Sequence, residues 1–249
     1  MTLSDIRAVT FDFGQTLAEL DTAMLSRRLA ERGFSVPPAA LDAALEGAWQ
    51  AYNGAIRAGH GGHPWHLLMA TLLRGAGVDG AACEGLAAWL FALQPESNLW
   101  RRPIAGMIEL VDALRAAGLK VGVISNSEGG LAGLIEEMGW QGRFDAVADS
   151  GVLKIEKPDR AIFAWMAESL GVPLAATVHV GDAYSADYVG ALGAGARAVL
   201  FRGDAFVPEG VVVGQDPHTA RCREADALAA ILEGWGVSLA ATLAQKSTH

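Results

Sequence analysis

The chain opens on a short apolar run that ends in a carboxylate. Residues 6–11 are rich in β-branched and aromatic side chains, and Asp12 follows them directly. A run of this length and composition predicts a buried β-strand. From about residue 21 to residue 93 the apolar positions recur at helical spacing instead, and no strand pattern occurs. Helices are predicted there at 21–33, 37–58, 65–74 and 81–93, with a loop at 59–64.

Strand and helix patterns alternate through the rest of the chain. The predicted strands lie at 120–124, 146–148, 177–180 and 196–201. The predicted helices lie at 104–117, 130–138, 159–170, 186–192 and 224–233. Strands that alternate with helices predict a parallel sheet that is covered by helices on both faces. The predicted fold class is therefore α/β, a doubly wound parallel sheet.

The change of pattern also predicts the domain organisation. Residues 1–17 and 98–240 are expected to form one Rossmann-like core, because the strands lie there. Residues 18–97 are expected to form an inserted helical domain. Residues 241–249 have little pattern and are expected to form a tail.

Composition narrows the class of protein. With 249 residues, 51% hydrophobic and 19% charged, the chain is too apolar to be disordered, and it has no uninterrupted apolar run long enough to span a membrane. The first residues lack a secretory signal pattern and there are two cysteines, so we expect a cytoplasmic protein. The net charge is −9 without a basic cluster, which argues against nucleic acid and membrane partners. A small-molecule substrate and a monomer or homodimer are expected.

Polar residues gather where the predicted strands end. In a doubly wound sheet, ligands bind beyond the carboxyl ends of the strands. The polar residues at or near this edge are Asp12, Gln15, Thr16, Ser125, Asn126, Ser127, Lys157, Asp182 and Asp187.

These residue types suit phosphoryl transfer through a carboxylate. Asp12 could attack phosphorus as a nucleophile. Asp12 and Asp182 could share Mg²⁺, a hard cation that prefers oxygen ligands. Thr16, Ser125 and Lys157 could bind phosphoryl oxygens and stabilise their charge. A cation is also favoured because clustered carboxylates repel one another.

Four motifs occur in order: FDFGQTL at 11–17, ISNS at 124–127, EKPDRAIF at 156–163 and HVGDAYSAD at 179–187. With these motifs, residues 6–201 resemble the haloacid dehalogenase-like hydrolase superfamily. The helical insertion after the first motif resembles the helical cap domain of that superfamily. The resemblance implies a Mg²⁺-dependent phosphatase that acts on a small phosphorylated metabolite through an aspartyl phosphate.

The resemblance also implies a role for each motif residue. On the metal side, Asp12 would be both the nucleophile and a Mg²⁺ ligand. Asp182 and the backbone carbonyl of Gly14 would be further Mg²⁺ ligands. Asp187 would support the metal shell or Lys157.

On the phosphate side, Thr16 would contact the phosphoryl group. Ser125 and Asn126, with neighbouring backbone amides, would bind it as well. Lys157 would neutralise its charge, although Lys154 competes for that assignment.

One position departs from the superfamily pattern. Its phosphatases carry a second Asp two residues after the nucleophile, which protonates the leaving alcohol and then activates water, but this chain has Gly14 there. General acid–base catalysis contributes about 10²- to 10⁴-fold in rate. We therefore expect slow hydrolysis of alkyl phosphates unless another acid substitutes. The candidate substitutes are Glu19, His60, His63 and His66.

Two other functions stay open. A metal-independent 2-haloacid dehalogenase would need no such acid, and Arg27 or Arg28 could hold the substrate carboxylate. Dehalogenases typically lack the acidic pair that this chain keeps as Asp182 and Asp187, which favours the phosphatase. The other alternative is a non-catalytic relative that binds a phosphorylated ligand. A phosphonate-cleaving enzyme is disfavoured because residues 18–100 contain no lysine.

Overall fold

The computed structural model describes residues 5–58, 64–203 and 207–239. The predicted tail lies outside the described residues, and so does almost all of the predicted loop at 59–64, including His60 and His63.

The chain divides into two compact units. Residues 1–19 and 102–249 form one, here called the core unit, and residues 20–101 form the other, here called the helical unit. In the part of the chain that the structure describes, no helix is long and apolar enough to cross a membrane.

A parallel sheet forms the centre of the core unit. The strands, in chain order, are β1 Ala8–Phe11, β2 Ala18–Leu20, β3 Trp100–Pro103, β4 Lys120–Ser125, β5 Ala146–Asp149, β6 Thr177–Gly181, β7 Arg197–Phe201 and β8 Thr219–Cys222. Over the described residues six of them pair in the order β5-β4-β1-β6-β7-β8, all parallel. Every residue of β1, β6 and β7 is buried, as expected for a parallel sheet covered on both faces.

Helices surround the sheet and make up the helical unit. Their bounds are α1 Thr22–Glu31, α2 Pro38–Arg57, α3 Trp65–Gly75, α4 Gly80–Ala92, α5 Met107–Ala116, α6 Leu131–Glu137, α7 Ser150–Leu153, α8 Arg160–Leu170, α9 Gly190–Ala194 and α10 Ala225–Gly234. A π-helical turn, Tyr184–Val189, precedes α9. The predicted α/β class, a parallel sheet flanked by helices, is confirmed.

Each unit has its own core, and side-chain spacing explains both. In α3 the buried residues follow the spacing of one helix face. They are Trp65, Leu68, Met69, Leu72 and Leu73, and the small side chain of Ala70 beside them is buried as well. In α8 a similar face, which includes Ile162, Phe163 and Met166, packs against the sheet.

The strand order places a ligand crevice at β1. From β1 the chain continues to β4 on one side of it, and it later returns to β6 on the other side. A reversal of this kind leaves an opening beyond the carboxyl ends of the central strands, which is where ligands bind in doubly wound sheets.

Three short strands, the four-residue helix α7 and one helix start differ from the sequence prediction. β2 and β3 were not predicted, since β3 reads Trp-Arg-Arg-Pro and lacks an apolar alternation. β8 reads Thr-Ala-Arg-Cys, without an apolar run, and among the described residues it pairs with β7 at the edge of the sheet. The helix predicted at 186–192 begins at Tyr184 as a π-helical turn, which Asp187 helps to hold through the amide of Ala183.

Candidate functional site

The sheet register brings the nucleophile candidate to the centre of the crevice. Phe11, the last residue of β1, is level with Val123 of β4 and Val180 of β6. Asp12 follows it, and its amide donates to the carbonyl of Val180 at 2.8 Å. Asp12, Ser125 and Asp182 therefore stand at the carboxyl ends of three adjacent strands, β1, β4 and β6, at one edge of the sheet.

Lys157 joins two of the carboxylates. Its Nζ donates to Asp12 Oδ1 at 2.5 Å and to Asp187 Oδ1 at 2.6 Å, and all three side chains are buried. Burial would lower the pKa of Lys157, but the two negative charges outweigh it and hold the pKa well above its usual value. Lys157 is therefore a positively charged group beside Asp12.

Asn126 sets the position of Lys157. Its Oδ1 accepts from the Lys157 amide at 2.8 Å, and its Nδ2 donates to the Lys157 carbonyl at 2.9 Å. These two hydrogen bonds fix the backbone of Lys157, from which its side chain extends to Asp12. The expected contact of Asn126 with substrate stays a prediction.

Both carboxylate oxygens of Asp187 are bound by other groups of the protein. Its Oδ1 accepts from Lys157 and lies 3.0 Å from His179 Nε2, while its Oδ2 accepts from the amide of Ala183 at 2.9 Å. Burial raises its pKa, but Lys157 and His179 outweigh burial and hold the pKa of Asp187 well below its usual value. Since both of its oxygens already accept hydrogen bonds from the protein, Asp187 suits a supporting role better than direct metal ligation.

Gly181 and Gly203 leave the space that Asp187 and Asp182 occupy. A Cβ at Gly181 would overlap the carboxylate of Asp187, and a Cβ at Gly203 would overlap the carbonyl of Asp182. Side chains at either place would displace the acidic residues.

The three carboxylates at this site carry more negative charge than Lys157 can balance, which favours binding of a cation. Asp12, Asp182 and Asp187 each offer an oxygen within 4.8 Å of the others. Burial chiefly raises the pKa of Asp12 to about 6, with Lys157 opposing it and Asp187 adding to it. Burial, followed by the charges of Asp12 and Asp187, raises the pKa of Asp182 well above its usual value. Asp12 and Asp182 offer carboxylate oxygens whose negative charge is not fully balanced by the protein. Oxygen ligands of this kind fit Mg²⁺.

Two hydroxyl groups in this region are buried without a hydrogen-bond partner. Thr16 is fully buried and its Oγ1 has no partner among the described residues; the same holds for Ser127 Oγ. A buried polar group without a partner costs about 1–3 kcal/mol. A ligand oxygen near either hydroxyl would recover that cost, as the predicted phosphate contact of Thr16 requires. Ser125 is buried at the end of β4.

The position of the missing acid has free space. A Cβ on Gly14 would meet no atom within 4 Å, and the backbone there is not left-handed. The described surroundings therefore leave room for a Cβ atom at this position.

The candidate substitutes for that acid have other contacts. Glu19 accepts from Arg102 at 3.0 Å and from Arg202 at 3.5 Å. His66 packs in the helical unit against the ring of Phe91, with the ring centroids 4.8 Å apart. His60 and His63 lie outside the described residues.

Other basic residues that the sequence singled out lie elsewhere. Lys154 Nζ donates to the carbonyl of Gly151 at 2.5 Å and is exposed, whereas Lys157 is buried at Asp12. Arg28 is buried in the helical unit beside Ser97, to which it donates. Arg27, on the same helix, is exposed.

Sequence reasoning missed two buried polar residues of the central strands. Thr10 and His179 are each 1% exposed and lie directly opposite each other on β1 and β6. A polar residue within an otherwise apolar run was the available signal, but only the strand order reveals the pairing.

Comparison with known proteins agrees with this geometry. The sequence profile of the haloacid dehalogenase-like hydrolase family matches residues 6–195. Haloacid dehalogenase-like hydrolase domain-containing protein 3 from Bos taurus is 29% identical over 208 residues, which cover 80% of this chain and 82% of that protein. The glyceraldehyde 3-phosphate phosphatase of Methanopyrus kandleri is 29% identical over 202 residues, which cover 79% and 84%.

Solved structures share the fold. The hydrolase YfnB from Bacillus subtilis, crystallised with bound magnesium, superposes with a TM-score of 0.63 at 20% identity, covering 92% of this chain and 99% of that one. Structures of 2-haloacid dehalogenases share it as well. The profile match spans most of the chain and includes the strands that carry Asp12, Ser125 and Asp182. The chain therefore belongs to the haloacid dehalogenase-like hydrolase family.

Proposed function

We propose that this hydrolase is a Mg²⁺-dependent phosphatase that acts on a small phosphorylated metabolite through an aspartyl phosphate on Asp12. The observation that carries the proposal is the buried pairing of Asp12 with Lys157 beside two further carboxylates. A 2-haloacid dehalogenase needs no cation, so it has no use for this excess of negative charge.

Asp12, Asp182 and the carbonyl of Gly14 would hold the metal. Bound Mg²⁺ would neutralise the carboxylates and polarise the phosphoryl group. The raised pKa of Asp182 supports this assignment, because a buried carboxylate without a counter-charge is costly.

The chain's own residues divide the chemistry between them. Lys157 holds Asp12 Oδ1 and keeps a positive charge where the phosphoryl group must approach. A carboxylate oxygen of Asp12 attacks phosphorus, and the bond from phosphorus to the leaving oxygen breaks. Water then attacks the aspartyl phosphate, which releases inorganic phosphate and restores Asp12. Thr16 and Ser125 would donate hydrogen bonds to phosphoryl oxygens during both steps.

The leaving group defines the substrate class in this proposal. Position 14 supplies no acid, and Glu19 is bound by two guanidinium groups. Leaving groups that depart without a proton, such as carboxylates and phenolates, should therefore be released faster than alkoxides.

The test is Mg²⁺-dependent phosphate release from a small panel. The panel holds acetyl phosphate, p-nitrophenyl phosphate, glycerol 3-phosphate and glyceraldehyde 3-phosphate, the last because a relative is named for it. Asp12→Asn and excess EDTA are the controls. Release that both controls abolish supports the proposal. Chloride release from 2-chloropropionate in EDTA, without phosphate release from the panel, would favour a dehalogenase. Binding of these esters without turnover would indicate a non-catalytic relative.

A further inference from the structure

A chain of buried side chains connects the interior of the sheet to the nucleophile. Thr10 Oγ1 lies 2.9 Å from His179 Nδ1, and His179 Nε2 lies 3.0 Å from Asp187 Oδ1. The same Asp187 oxygen accepts from Lys157, which also contacts Asp12. All five residues are at least nine-tenths buried, so water cannot readily replace any of these contacts.

The donors and acceptors of this chain fit one arrangement. The ionised carboxylate of Asp187 can only accept, so the proton of His179 must lie on Nε2. Burial is the largest influence on the His179 ring and lowers its pKa, which leaves Nδ1 as an acceptor. The hydroxyl of Thr10 then donates to Nδ1, which at 2.9 Å is closer than its alternative acceptor, the carbonyl of Val178 at 3.3 Å.

Packing holds the ring in this orientation. The ring of Phe163 meets the imidazole edge to face, with centroids 5.2 Å apart and planes 83° apart. Thr10 and His179 sit on adjacent strands in register, so the backbone itself sets the distance between them. The imidazole is therefore a fixed donor rather than a mobile one.

We propose that His179, oriented by Thr10, is a positioning residue for the nucleophile: its Nε2–H fixes Asp187, and Asp187 fixes Lys157 against Asp12. The effect on catalysis rests on the proposed phosphatase function. Without the imidazole donor, Asp187 Oδ1 keeps only its contact with Lys157, while Oδ2 stays bound to the amide of Ala183. The position of Oδ1 is then less constrained, and so is the end of Lys157 that bridges it to Asp12.

The first test compares two substitutions of the imidazole. His179→Leu removes the donor and keeps an apolar side chain of adequate size, while His179→Gln retains an amide N–H that can replace Nε2–H. We expect His179→Leu to lower kcat for p-nitrophenyl phosphate by about 10- to 100-fold, the usual effect of losing a partner behind a functional ligand, with KM little changed. His179→Gln should recover most of the loss.

A matched control separates positioning from packing. Val9→Ala removes buried volume from β1 beside Thr10 without touching the hydrogen-bonded chain. It should lower the melting temperature while leaving kcat nearly unchanged. The positioning role would be overturned if His179→Leu kept the wild-type kcat, or if the Leu and Gln variants lost kcat equally at matched folded content.

A spectroscopic readout does not depend on turnover. Long-range ¹H–¹⁵N NMR on ¹⁵N-histidine protein, with His179 assigned by its absence in His179→Gln, should show a neutral ring protonated at Nε2. A ring protonated at Nδ1, or at both nitrogens, would overturn the proposed arrangement. If the wild type hydrolysed nothing in the panel, the phosphatase function would fail on its own, and this spectrum would still decide the geometry.

Discussion

Restoring a carboxylic acid at position 14 should raise the activity against alkyl phosphates. The structure leaves room for the Cβ of Gly14→Asp, because a Cβ there meets no atom within 4 Å and the backbone is not left-handed. The metal contact expected at this position uses the carbonyl, which the substitution keeps. A general acid–base group contributes about 10²- to 10⁴-fold in rate, equivalent to about 3–5 kcal/mol of activation free energy.

The assay compares substrates that differ in how much they need a proton. We expect kcat/KM for glycerol 3-phosphate to rise by at least about 100-fold in Gly14→Asp, since an alkoxide is a poor leaving group. The value for p-nitrophenyl phosphate should change much less, because a nitrophenolate departs without protonation. Gly14→Asn is the matched control, as it has a similar shape and cannot transfer a proton.

Two results would refute this reasoning. The first is an equal response of the Asp and Asn variants, which would mean that the side chain acts through shape alone. The second is an equal gain for both substrates, which would mean that protonation of the leaving group does not limit the wild type. Circular dichroism spectra and melting temperatures establish that both variants fold.

Three further predictions concern the buried charges. Gly181→Ala should cost about 1–3 kcal/mol of unfolding free energy in urea and most of the activity, because its Cβ would displace Asp187; full activity would contradict the packing. Lys157→Met should lower kcat by about 10²- to 10³-fold in a p-nitrophenyl phosphate assay, whereas Lys154→Met should not. In EDTA, Asp12→Asn should be the more stable protein by up to about 3 kcal/mol above pH 6, since burial raises the folded pKa of Asp12 from 3.8 to about 6 and deprotonation then disfavours the fold. This advantage should vanish below about pH 4 in urea titrations, and a variant less stable than wild type at pH 8 would contradict it.

The sequence was sufficient to predict which residues stand at the ends of the strands. Asp12, Ser125 and Asp182 each follow a buried apolar run, so their place at one sheet edge follows from the parallel topology. Lys157 could be predicted as a phosphate-binding group from its motif. That it bridges Asp12 and Asp187 could not, because the reach of its side chain depends on the loop that Asn126 holds.

Side-chain contacts between distant parts of the chain could not be predicted from the sequence. Thr10 and His179 are 169 residues apart and meet only because β6 returns beside β1. Glu19 illustrates the same limit, since its contact with Arg202 spans 183 residues. Short strands such as β8 also escaped prediction, because long-range pairing rather than local apolar pattern defines them.

The central claim is that Asp12 becomes phosphorylated, and trapping that intermediate tests it most directly. Protein mixed with acetyl phosphate and Mg²⁺ is quenched in acid and reduced with borohydride, which converts an aspartyl phosphate to homoserine. Peptide mass spectrometry then locates the modified residue. We expect homoserine at position 12 in the wild type, and none without substrate or in Asp12→Asn. Phosphate release without any modification at Asp12 under the same rapid quench would contradict it.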